Sequence, residues 1–438
     1  MRRPRSSTLV AVALMLVVAL LATLAVLMGR STDPPGRTVV QVRIWSDQLA
    51  PAYRESFTAF SRLHPDIDVR INLVSYANYF TTLRTDVAGG SADDIFWMSS
   101  AYLAAYADTG RLLAINPAPG WEPGVVEQFT RGATLWGVPQ LTDAGIAVFF
   151  NADLLAAQGL TSSAVDGANW DPAGPDTLRP LLARLTLDAD GRHADDPGFD
   201  PRRVRQWGYN AANDPQAIYL PYLGSAGAVF QRGDQFAFDN PPSVQAFTYL
   251  VGLINDDHVS PSAANTNANG DFSRNQFLAG RIALFQSGTY NLAAVADNAR
   301  FHWGVAMLPS GPRGRVSVTN GIAAVGNAAT AHPAAVRQVL AWLGSAEGNS
   351  YLGRRGEAIP AVLPAQQDYF RYWSSRGVDV TPFFAVLRGP RIPAPGGAGF
   401  AAGETALQPY FDEMFLGRAD VAATLRRAQL AANAAASR

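Results

Sequence analysis

The sequence predicts an α/β protein built from two lobes. Its 438 residues exceed the usual size of a single hydrophobic core, so a division into two lobes is expected. Strands and helices alternate along residues 38–112, which is the pattern of a mostly parallel sheet covered by helices on both faces. The 48% of hydrophobic residues is typical of a globular chain that can fill such cores.

The first third of the chain carries the clearest alternation. Runs rich in β-branched and aromatic residues predict strands at 38–45, 67–76 and 93–98. Segments with helical spacing of apolar residues predict helices at 50–65, 78–90 and 101–112. In such sheets ligands bind beyond the carboxyl ends of the strands. We therefore expect the polar residues that follow these strands to rim one crevice.

The remainder alternates less regularly. Residues 146–150 form a β-rich run, a helix is expected to begin at Asn151, and residues 161–210 are rich in loops. Further helices are predicted near 213–224 and 241–258, and further strands within 280–292, 301–310 and 319–328. From residue 333 onward the pattern is helical, with a Pro/Gly-rich interruption at 387–400.

Composition excludes several functions. The 35 basic and 36 acidic residues give a net charge of -1, without the basic face that a nucleic-acid-binding protein needs. The absence of cysteine excludes disulfides, thiolate metal ligands and cysteine nucleophiles. The histidines are isolated, and residues 188–196 begin like a calcium loop but lack its terminal glutamate. We expect no nucleic-acid partner, no metal and no cofactor.

The N-terminus predicts export. Arg2, Arg3 and Arg5 precede an uncharged stretch at 9–28, which at about 1.5 Å per residue could cross a hydrocarbon core of roughly 30 Å. The arginines remain on the cytoplasmic side, so the rest of the chain is placed outside the plasma membrane. No clear A-x-A site follows the stretch. We expect residues 1–37 to form an uncleaved signal anchor and tether, rather than a cleaved signal.

An ordered series of motifs extends from about residue 38 to about residue 430. The motifs are GSADDIFWMSSAYLAAYADTGRL (90–112), GVPQLTDAGIAVFFNADLL (137–155), GRIALFQSGTYNL (280–292), WGVAMLPSGPRG (303–314) and TNGIAAVGNA (319–328). In this order they resemble the extracellular solute-binding proteins of carbohydrate ABC importers, the family that includes maltose-binding protein. QVRIW, DVAGG and DDIFWM are most similar to the mycobacterial Usp-type sugar-binding proteins. The chain departs from the family in lacking a lipobox cysteine and in having Tyr290 where tryptophan is frequent.

The resemblance implies a periplasmic-binding-protein fold, in which two α/β lobes enclose a ligand cleft. It implies chain crossings at 144–151, near 290–296 and near 320–345. The first lobe would comprise 38–145 and 293–340, and the second would comprise 146–292 and 341–438. The implied function is an extracytoplasmic, monomeric binding protein that captures a neutral or amino sugar by hinge closure. It would deliver this mono- or oligosaccharide to the permease subunits of an ABC importer.

Sugars have hydroxyl groups and apolar C–H faces, so their sites combine aromatic rings with polar groups that can bond neighbouring hydroxyls. In the first lobe the candidate ligand-binding residues are Asp47, Gln48, Tyr76, Asn78, Tyr79, Trp97, Ser99, Ser100, Thr142, Asp143, Asn320 and Gly321. In the second lobe they are Tyr219, Tyr222, Phe230, Ser287, Gly288, Tyr290, Arg388 and Phe400. Arg354 and Arg355 are predicted to be surface or packing residues.

Two other classes of function stay open. An exported glycoside hydrolase would need two carboxylates about 5–9.5 Å apart, and Asp47 and Asp143 are the pair that the sequence offers. A purely structural envelope protein would bind no sugar. A serine hydrolase is disfavoured because no G-x-S-x-G elbow occurs.

Overall fold

The computed structural model describes residues 36–142, 145–267, 269–318, 320–392 and 394–437. The predicted signal anchor at 9–28 and the candidate Asp143 lie outside the described residues. Within those ranges, no helix has both the length and the apolar character that crossing a bilayer requires.

The first segment alternates strands and helices as predicted. Its elements are β1 Thr38–Ile44, α1 Ala50–Leu63, β2 Ile67–Leu73, α2 Tyr76–Gly89, β3 Ile95–Ser99, α3 Ser100–Ala107, α4 Pro123–Gln128, β4 Thr130–Arg131, β5 Thr134–Leu135 and β6 Val138–Thr142. Gly90 ends α2 with a φ of 74°, a left-handed conformation that glycine adopts without steric cost.

The middle segment is longer and less regular. Its elements are β7 Ala147–Asn151, α5 Ala152–Ala157, α6 Ser162–Asp166, α7 Leu178–Leu185, β8 Leu187–Asp188, β9 Val204–Gln206, a π-helix Pro215–Tyr219, α8 Leu220–Ala226, β10 Gln231–Arg232, β11 Gln235–Phe236, α9 Pro241–Asn255, α10 Ala263–Thr266, α11 Phe272–Leu278, β12 Leu284–Ser287, α12 Leu292–Asn298, β13 Trp303–Ala306 and β14 Ser317–Val318. Short 3-10 turns lie at Pro201–Arg203 and Thr289–Asn291. Asn151 caps α5 by accepting from the N–H groups of Asp153 and Leu154, which confirms the predicted helix start.

The last segment is mainly helical, as predicted. Its elements are β15 Gly321–Gly326, α13 Pro333–Leu343, α14 Ala346–Arg354, α15 Gln366–Ser375, α16 Thr381–Ala385, β16 Arg391–Ile392, α17 Phe400–Phe415 and α18 Val421–Ala436, with 3-10 turns at Leu363–Ala365 and Val386–Arg388.

The sheet of the first lobe has the strand order β2-β1-β3-β15-β6. β1 pairs in parallel with β2 and β3, whereas β15 is antiparallel to β3 and β6. Ile322 of β15 pairs with Ser99, and Gly321 pairs with Thr142. The ends of β1, β3 and β6 and the start of β15 therefore meet at one edge of the sheet. This arrangement confirms the predicted convergence of strand ends.

The sheet of the second lobe differs from the prediction of mostly parallel sheets. Its order is β12-β7-β13, and both pairings are antiparallel. The antiparallel pairing could not be predicted from the order of the strands, because long loops and helices separate β7, β12 and β13 along the chain. The two-lobed α/β architecture is confirmed, but parallel pairing is restricted among the main strands to β1, β2 and β3.

The described residues form three hydrophobic cores. The first packs the five-stranded sheet against α1, α13 and α14. The second fills the large helical part of the other lobe, from α7 to α9 and from α17 to α18. The third lies between the antiparallel sheet and the α15 and α16 helices. Each core buries aromatic and aliphatic side chains, and burial of apolar surface contributes about 25 cal/mol per Å².

The packing departs from the predicted lobe boundaries. β13 pairs with β7, so the chain is still in the second lobe at residue 306 and returns to the first lobe only between β14 and β15. Val339, Leu340 and Leu343 then pack in the first core, as do residues up to Ala365. The predicted crossings near 290–296 and 320–345 therefore lie too early along the chain. Strand pairing, which spacing does not encode, sets where these crossings occur.

Hydrogen bonds from the backbone of Thr142, Gly145 and Ile146 to three other segments form the hinge. The Gly145 N–H donates to the carbonyl of Phe383 at 2.7 Å, and the Thr142 N–H donates to Ile359 at 3.1 Å. The Ile146 N–H donates to the Ser317 hydroxyl at 2.8 Å. A methyl group at position 145 would lie 2.9 Å from the Phe383 carbonyl oxygen and would overlap Val386. Glycine is therefore required at this crossing because of close packing.

Candidate functional site

A cavity of about 110 Å³ lies where the two lobes meet the hinge, and we call it the hinge pocket. The first lobe contributes residues at the ends of β1 and β6, including Trp45, Gln48 and Thr142. The second lobe contributes Thr289 and Tyr290, and the hinge contributes Glu357, Ala358 and Ile359. A molecule in this pocket would contact both lobes and the hinge at once.

Two aromatic rings give the hinge pocket its apolar faces. Trp45 is half-buried and packs edge-on against Tyr79 and Trp97, each with 4.8 Å between ring centroids. These contacts fix the indole ring at the pocket wall. On the opposite lobe Tyr290 keeps 39% of its surface exposed. Its ring lies over Gly288, where any side chain would collide with it.

Glu357 supplies the pocket with a carboxylate that the sequence reasoning missed. Its side chain is only 14% exposed, and Oε1 accepts from the Arg355 guanidinium at 3.0 Å. Oε2 is buried and has no hydrogen-bond partner among the described residues. Burial raises the pKa of Glu357, and Arg355 opposes that rise. The available signal was an acid next to Gly356, between a helix end and Pro360.

Two larger cavities adjoin the hinge pocket. A cavity of about 480 Å³ shares Gln48 and Glu357 with it and is also lined by Arg354, Arg355 and Asp297. A cavity of about 400 Å³ shares Tyr290 and lies on the second lobe. The shared residues make the three cavities neighbours along one cleft. Arg354 and Arg355 therefore line the cleft, although they were predicted to be surface or packing residues.

Asp214 is a second acid that the sequence reasoning missed. It lines the cavity on the second lobe with Asn210 and Ser287. Its carboxylate caps the π-helix by accepting from the Ala217 N–H at 2.9 Å. Burial raises its pKa. The Asp-Pro pair at the start of a helix is the sequence signal that could have found this residue.

The two serines that follow β3 contact the start of β15. The Ser100 hydroxyl donates to the Asn320 side chain at 3.2 Å, and Asn320 donates to Ser99 at 3.5 Å. The Tyr102 hydroxyl donates across to Glu404 of the second lobe at 3.2 Å. Burial raises the pKa of Glu404, and the Tyr102 hydrogen bond opposes this rise. Tyr102 therefore joins the two lobes, a role that was not predicted.

Several predicted site residues lie at the cleft. Gln48, Trp97, Thr142, Ser287 and Tyr290 line its cavities. Others neighbour these residues at the same strand or helix ends, namely Asp47, Tyr76, Asn78, Ser99, Ser100, Gly288 and Asn320. Trp97 is only 1% exposed and donates its indole N–H to Tyr53 at 3.1 Å. It therefore supports the pocket wall more than it presents a free face.

Other predicted residues are packed in cores and require correction. Tyr79 is fully buried and donates its hydroxyl to the carbonyls of Arg43 and Trp97. Tyr219 packs against Phe230, Phe247 and Phe411. The remaining core residues are Tyr222, Phe230 and Phe400. Tyr79 therefore belongs to the first core, and the other four aromatic side chains fill the second core.

Gly321 and Arg388 were also predicted to contact the ligand, but neither lines the cleft cavities. The face of Gly321 that lacks a side chain meets Val125 and Gln128 of α4, so this glycine serves helix packing rather than ligand approach. Arg388 is exposed, and it lines none of the cavities described above. In the part of the chain that the structure describes, no group of three or more His, Asp or Glu side chains could hold a metal ion.

Known proteins resemble the chain over most of its length. UspC of Mycobacterium tuberculosis has 74% sequence identity, and the match covers 91% of this chain and 100% of UspC with a TM-score of 0.77. The Listeria monocytogenes ABC substrate-binding protein Lmo0181, solved with cycloalternan, is 18% identical with a TM-score of 0.77 and covers 91% and 98% of the two chains. A probable ABC transporter-binding protein of Deinococcus radiodurans is 25% identical over 60% of this chain and 59% of its own length.

The fold and the family predicted from the motifs are both confirmed. UspC and Lmo0181 share the two-lobed arrangement over nearly the whole described chain. The family of bacterial extracellular solute-binding proteins matches residues 46–350, which is more than half of the 438 residues. This protein therefore belongs to the bacterial extracellular solute-binding proteins.

Proposed function

We propose that this protein is the binding component of an ABC importer and captures a carbohydrate between its lobes. The hinge pocket carries this proposal, because Trp45 and Tyr290 face it from opposite lobes and Gln48, Thr142 and Glu357 supply polar groups beside them. Rings pack on the apolar C–H faces of a sugar, and the amide, hydroxyl and carboxylate groups bond its hydroxyls.

The charges of the cleft favour a neutral or amino sugar. Asp214, Asp297 and Glu357 line its cavities, and Asp297 is paired with Arg376 at 2.9 Å. Arg355 is already engaged by Glu55 and Glu357 at 3.2 and 3.0 Å. Few uncommitted cations are thus available for a phosphorylated ligand, and the carboxylates can accept from hydroxyl or ammonium groups.

Capture by hinge closure follows from the architecture. The lobes are joined through the crossings near Gly145, Ser317 and Ile359, which are held by hydrogen bonds from backbone N–H groups and by tight packing. A ligand that contacts both lobes stabilises the arrangement in which they approach each other. The closed, monomeric form would then deliver the sugar to membrane permease subunits. Its place would be outside the plasma membrane, held by the N-terminal segment 1–37.

Similarly folded proteins suggest which carbohydrates to test. Lmo0181 was solved with cycloalternan, and a Bdellovibrio bacteriovorus maltodextrin-binding domain was solved with maltotriose. A suitable panel therefore contains glucose, glucosamine, maltose, maltotriose and mannobiose. We expect at least one of them to raise the melting temperature, because a ligand that binds only the folded state stabilises it by mass action.

The tyrosine of the second lobe gives the sharpest test of the site. Tyr290→Ala should weaken binding of the best sugar by about 10-fold, equivalent to about 1.4 kcal/mol, as measured by calorimetry. Phe370→Ala is the matched control, since Phe370 is also 39% exposed but lines none of the cleft cavities. Equal affinities for the two variants would remove Tyr290 from the site. A wild-type protein that binds no sugar in the panel would contradict the proposed function.

The hydrolase alternative makes a distinct prediction. An exported glycoside hydrolase would release smaller saccharides from maltotriose or mannobiose, which chromatography detects directly. A binding protein returns the oligosaccharide intact. We expect the intact sugar, since belonging to the solute-binding family favours binding over turnover. Release of monosaccharides at catalytic protein concentrations would support the hydrolase instead.

A further inference from the structure

A separate cavity of about 670 Å³, which we call the outer cavity, lies between α2, α3 and the first turns of α17. It shares no lining residue with the hinge pocket or its two neighbours. Its walls come from both lobes, since α2 and α3 belong to the first lobe and α17 belongs to the second. Its volume is within the range of small-molecule sites, about 300–1,000 Å³.

The inner wall of the outer cavity is apolar and aromatic. Phe80 and Tyr102 stack there with 3.8 Å between ring centroids and 20° between ring planes. Val87 of α2, Ala105 of α3 and Ala402 of α17 extend the apolar lining. Such a surface would bind a flat ring or a short hydrocarbon chain by removing apolar area from water.

The charged lining residues of the outer cavity are Arg84 on α2, Arg111 just after α3 and Glu404 on α17. Arg84 and Arg111 are exposed, and neither guanidinium has a hydrogen-bond or ion-pair partner in the described ranges. Glu404 is the other charged lining residue, and it already accepts from Tyr102 at 3.2 Å. Burial raises the pKa of Tyr106 and the charge of Arg84 opposes that rise; Tyr106 follows Tyr102 by one helical turn, or about 6 Å. The cavity therefore has cations available beyond its aromatic wall.

We propose that the outer cavity binds a small molecule with an apolar body and one anionic group, a carboxylate or a phosphate. The body lies on Phe80 and Tyr102, and the anion pairs with Arg84 and Arg111. Guanidinium groups suit this role because they bond carboxylate and phosphate oxygens in a bidentate manner. Because both lobes line the cavity, an occupant also favours the arrangement in which α3 and α17 are in contact.

The test uses calorimetry with 1-naphthyl phosphate on the full-length protein. The two partial probes are 1-naphthol, which lacks the anion, and inorganic phosphate, which lacks the ring. We expect 1-naphthyl phosphate to bind at least about 10-fold more tightly than either, since it alone engages both parts of the cavity. Failure of 1-naphthyl phosphate to bind, or equal binding of inorganic phosphate, would overturn the proposal.

Paired arginine substitutions distinguish binding in the outer cavity from non-specific attraction of the phosphate to positive charge. Arg84→Ala with Arg111→Ala should weaken 1-naphthyl phosphate binding at least about 10-fold. Arg54→Ala with Arg62→Ala removes the same charge from α1, where both arginines are exposed and outside the cavity, and should leave affinity unchanged. Ala105→Leu should also weaken binding, because it fills the cavity without changing its charge. Equal losses in the two arginine pairs would show non-specific attraction and overturn the proposal.

Discussion

The two lobes present their sides of the cleft in different ways. In the first lobe, the ends of β1, β3 and β6 meet at one sheet edge, and the residues directly after them line or neighbour the hinge pocket. In the second lobe, the sheet is antiparallel, and a π-helix and a 3-10 turn carry the cleft residues Asp214 and Tyr290. In the first lobe, the residues of the cleft can therefore be predicted because they follow strands that are recognisable in the sequence. In the second lobe, irregular turns carry the residues of the cleft.

The same contrast separates the aromatic residues. Trp45 follows a strand of the first lobe and reaches the pocket wall. Tyr219, Tyr222 and Phe230 of the second lobe are at most 5% exposed and pack within its core. A lobe with a small sheet needs large side chains to fill the space between its helices, so most of its aromatic residues are structural.

We expect the largest change in stability when a buried tyrosine of the second lobe, rather than an exposed tyrosine of the first lobe, is replaced by alanine. Tyr222→Ala should lower the free energy of unfolding by about 3–5 kcal/mol, because its ring packs against Trp170 and Tyr249 and is 2% exposed. Tyr76→Ala should cost about 1 kcal/mol or less, because Tyr76 is 60% exposed. Urea denaturation measures both. A stable Tyr222→Ala variant that has lost sugar binding would reverse the assignment of Tyr222 to the core.

We expect a smaller loss of stability when Gly145, at the crossing between the lobes, is replaced. Gly145→Ala places a methyl group 2.9 Å from the Phe383 carbonyl oxygen and against Val386, and should destabilise the fold by about 1–3 kcal/mol. Gly124→Ala in α4 is the control, because its added methyl group would meet no atom within 4 Å. The control should be neutral or stabilising by up to about 1 kcal/mol. Equal melting temperatures for the two variants would show that the crossing tolerates bulk.

We expect the smallest change in stability at the contact between Tyr102 and Glu404, and we expect it to depend on pH. Burial raises the pKa of Glu404 in the folded protein, so the folded state favours its protonated form. The stability that protonated Glu404 contributes to the folded state is fully present below the ordinary carboxyl pKa. It is lost as pH rises through the raised pKa of Glu404. Relative to wild type, Glu404→Gln should therefore gain stability as pH rises above the ordinary carboxyl pKa of about 4.3, by about 1 kcal/mol or less.

Urea denaturation at several pH values measures this difference, and Tyr102→Phe refines it. The Tyr102 hydrogen bond lowers the pKa of Glu404, so its removal should raise that pKa further and steepen the loss of stability with rising pH. Arg84 and Arg111 line the same cavity and are left unchanged in both variants. A pH-independent difference between wild type and Glu404→Gln would show that Glu404 is not buried at the contact.

Local patterns predicted much of the first lobe and the overall class of the fold. The alternation from Thr38 to Ala107 was sufficient because the strands and helices there are short and regular, and because β1 pairs with both of the next two strands. Gln48 and Thr142 were predicted because each follows or ends a recognisable strand, and Tyr290 because of the family resemblance; all three line the hinge pocket. Glu357 and Asp214 were missed because each lies in an irregular segment whose neighbours come from distant parts of the chain.

The sequence by itself determined the two-lobed α/β class, the polar edge of the first sheet and the absence of cysteine chemistry. Hydrophobic periodicity and composition are local properties, and they suffice for these features. Only the tertiary structure decided where the chain returns to the first lobe, which aromatic residues became core and which carboxylates reached the cleft. Those outcomes depend on antiparallel pairing and on packing between residues hundreds of positions apart, such as Tyr102 and Glu404. Spacing along the chain carries no record of such contacts.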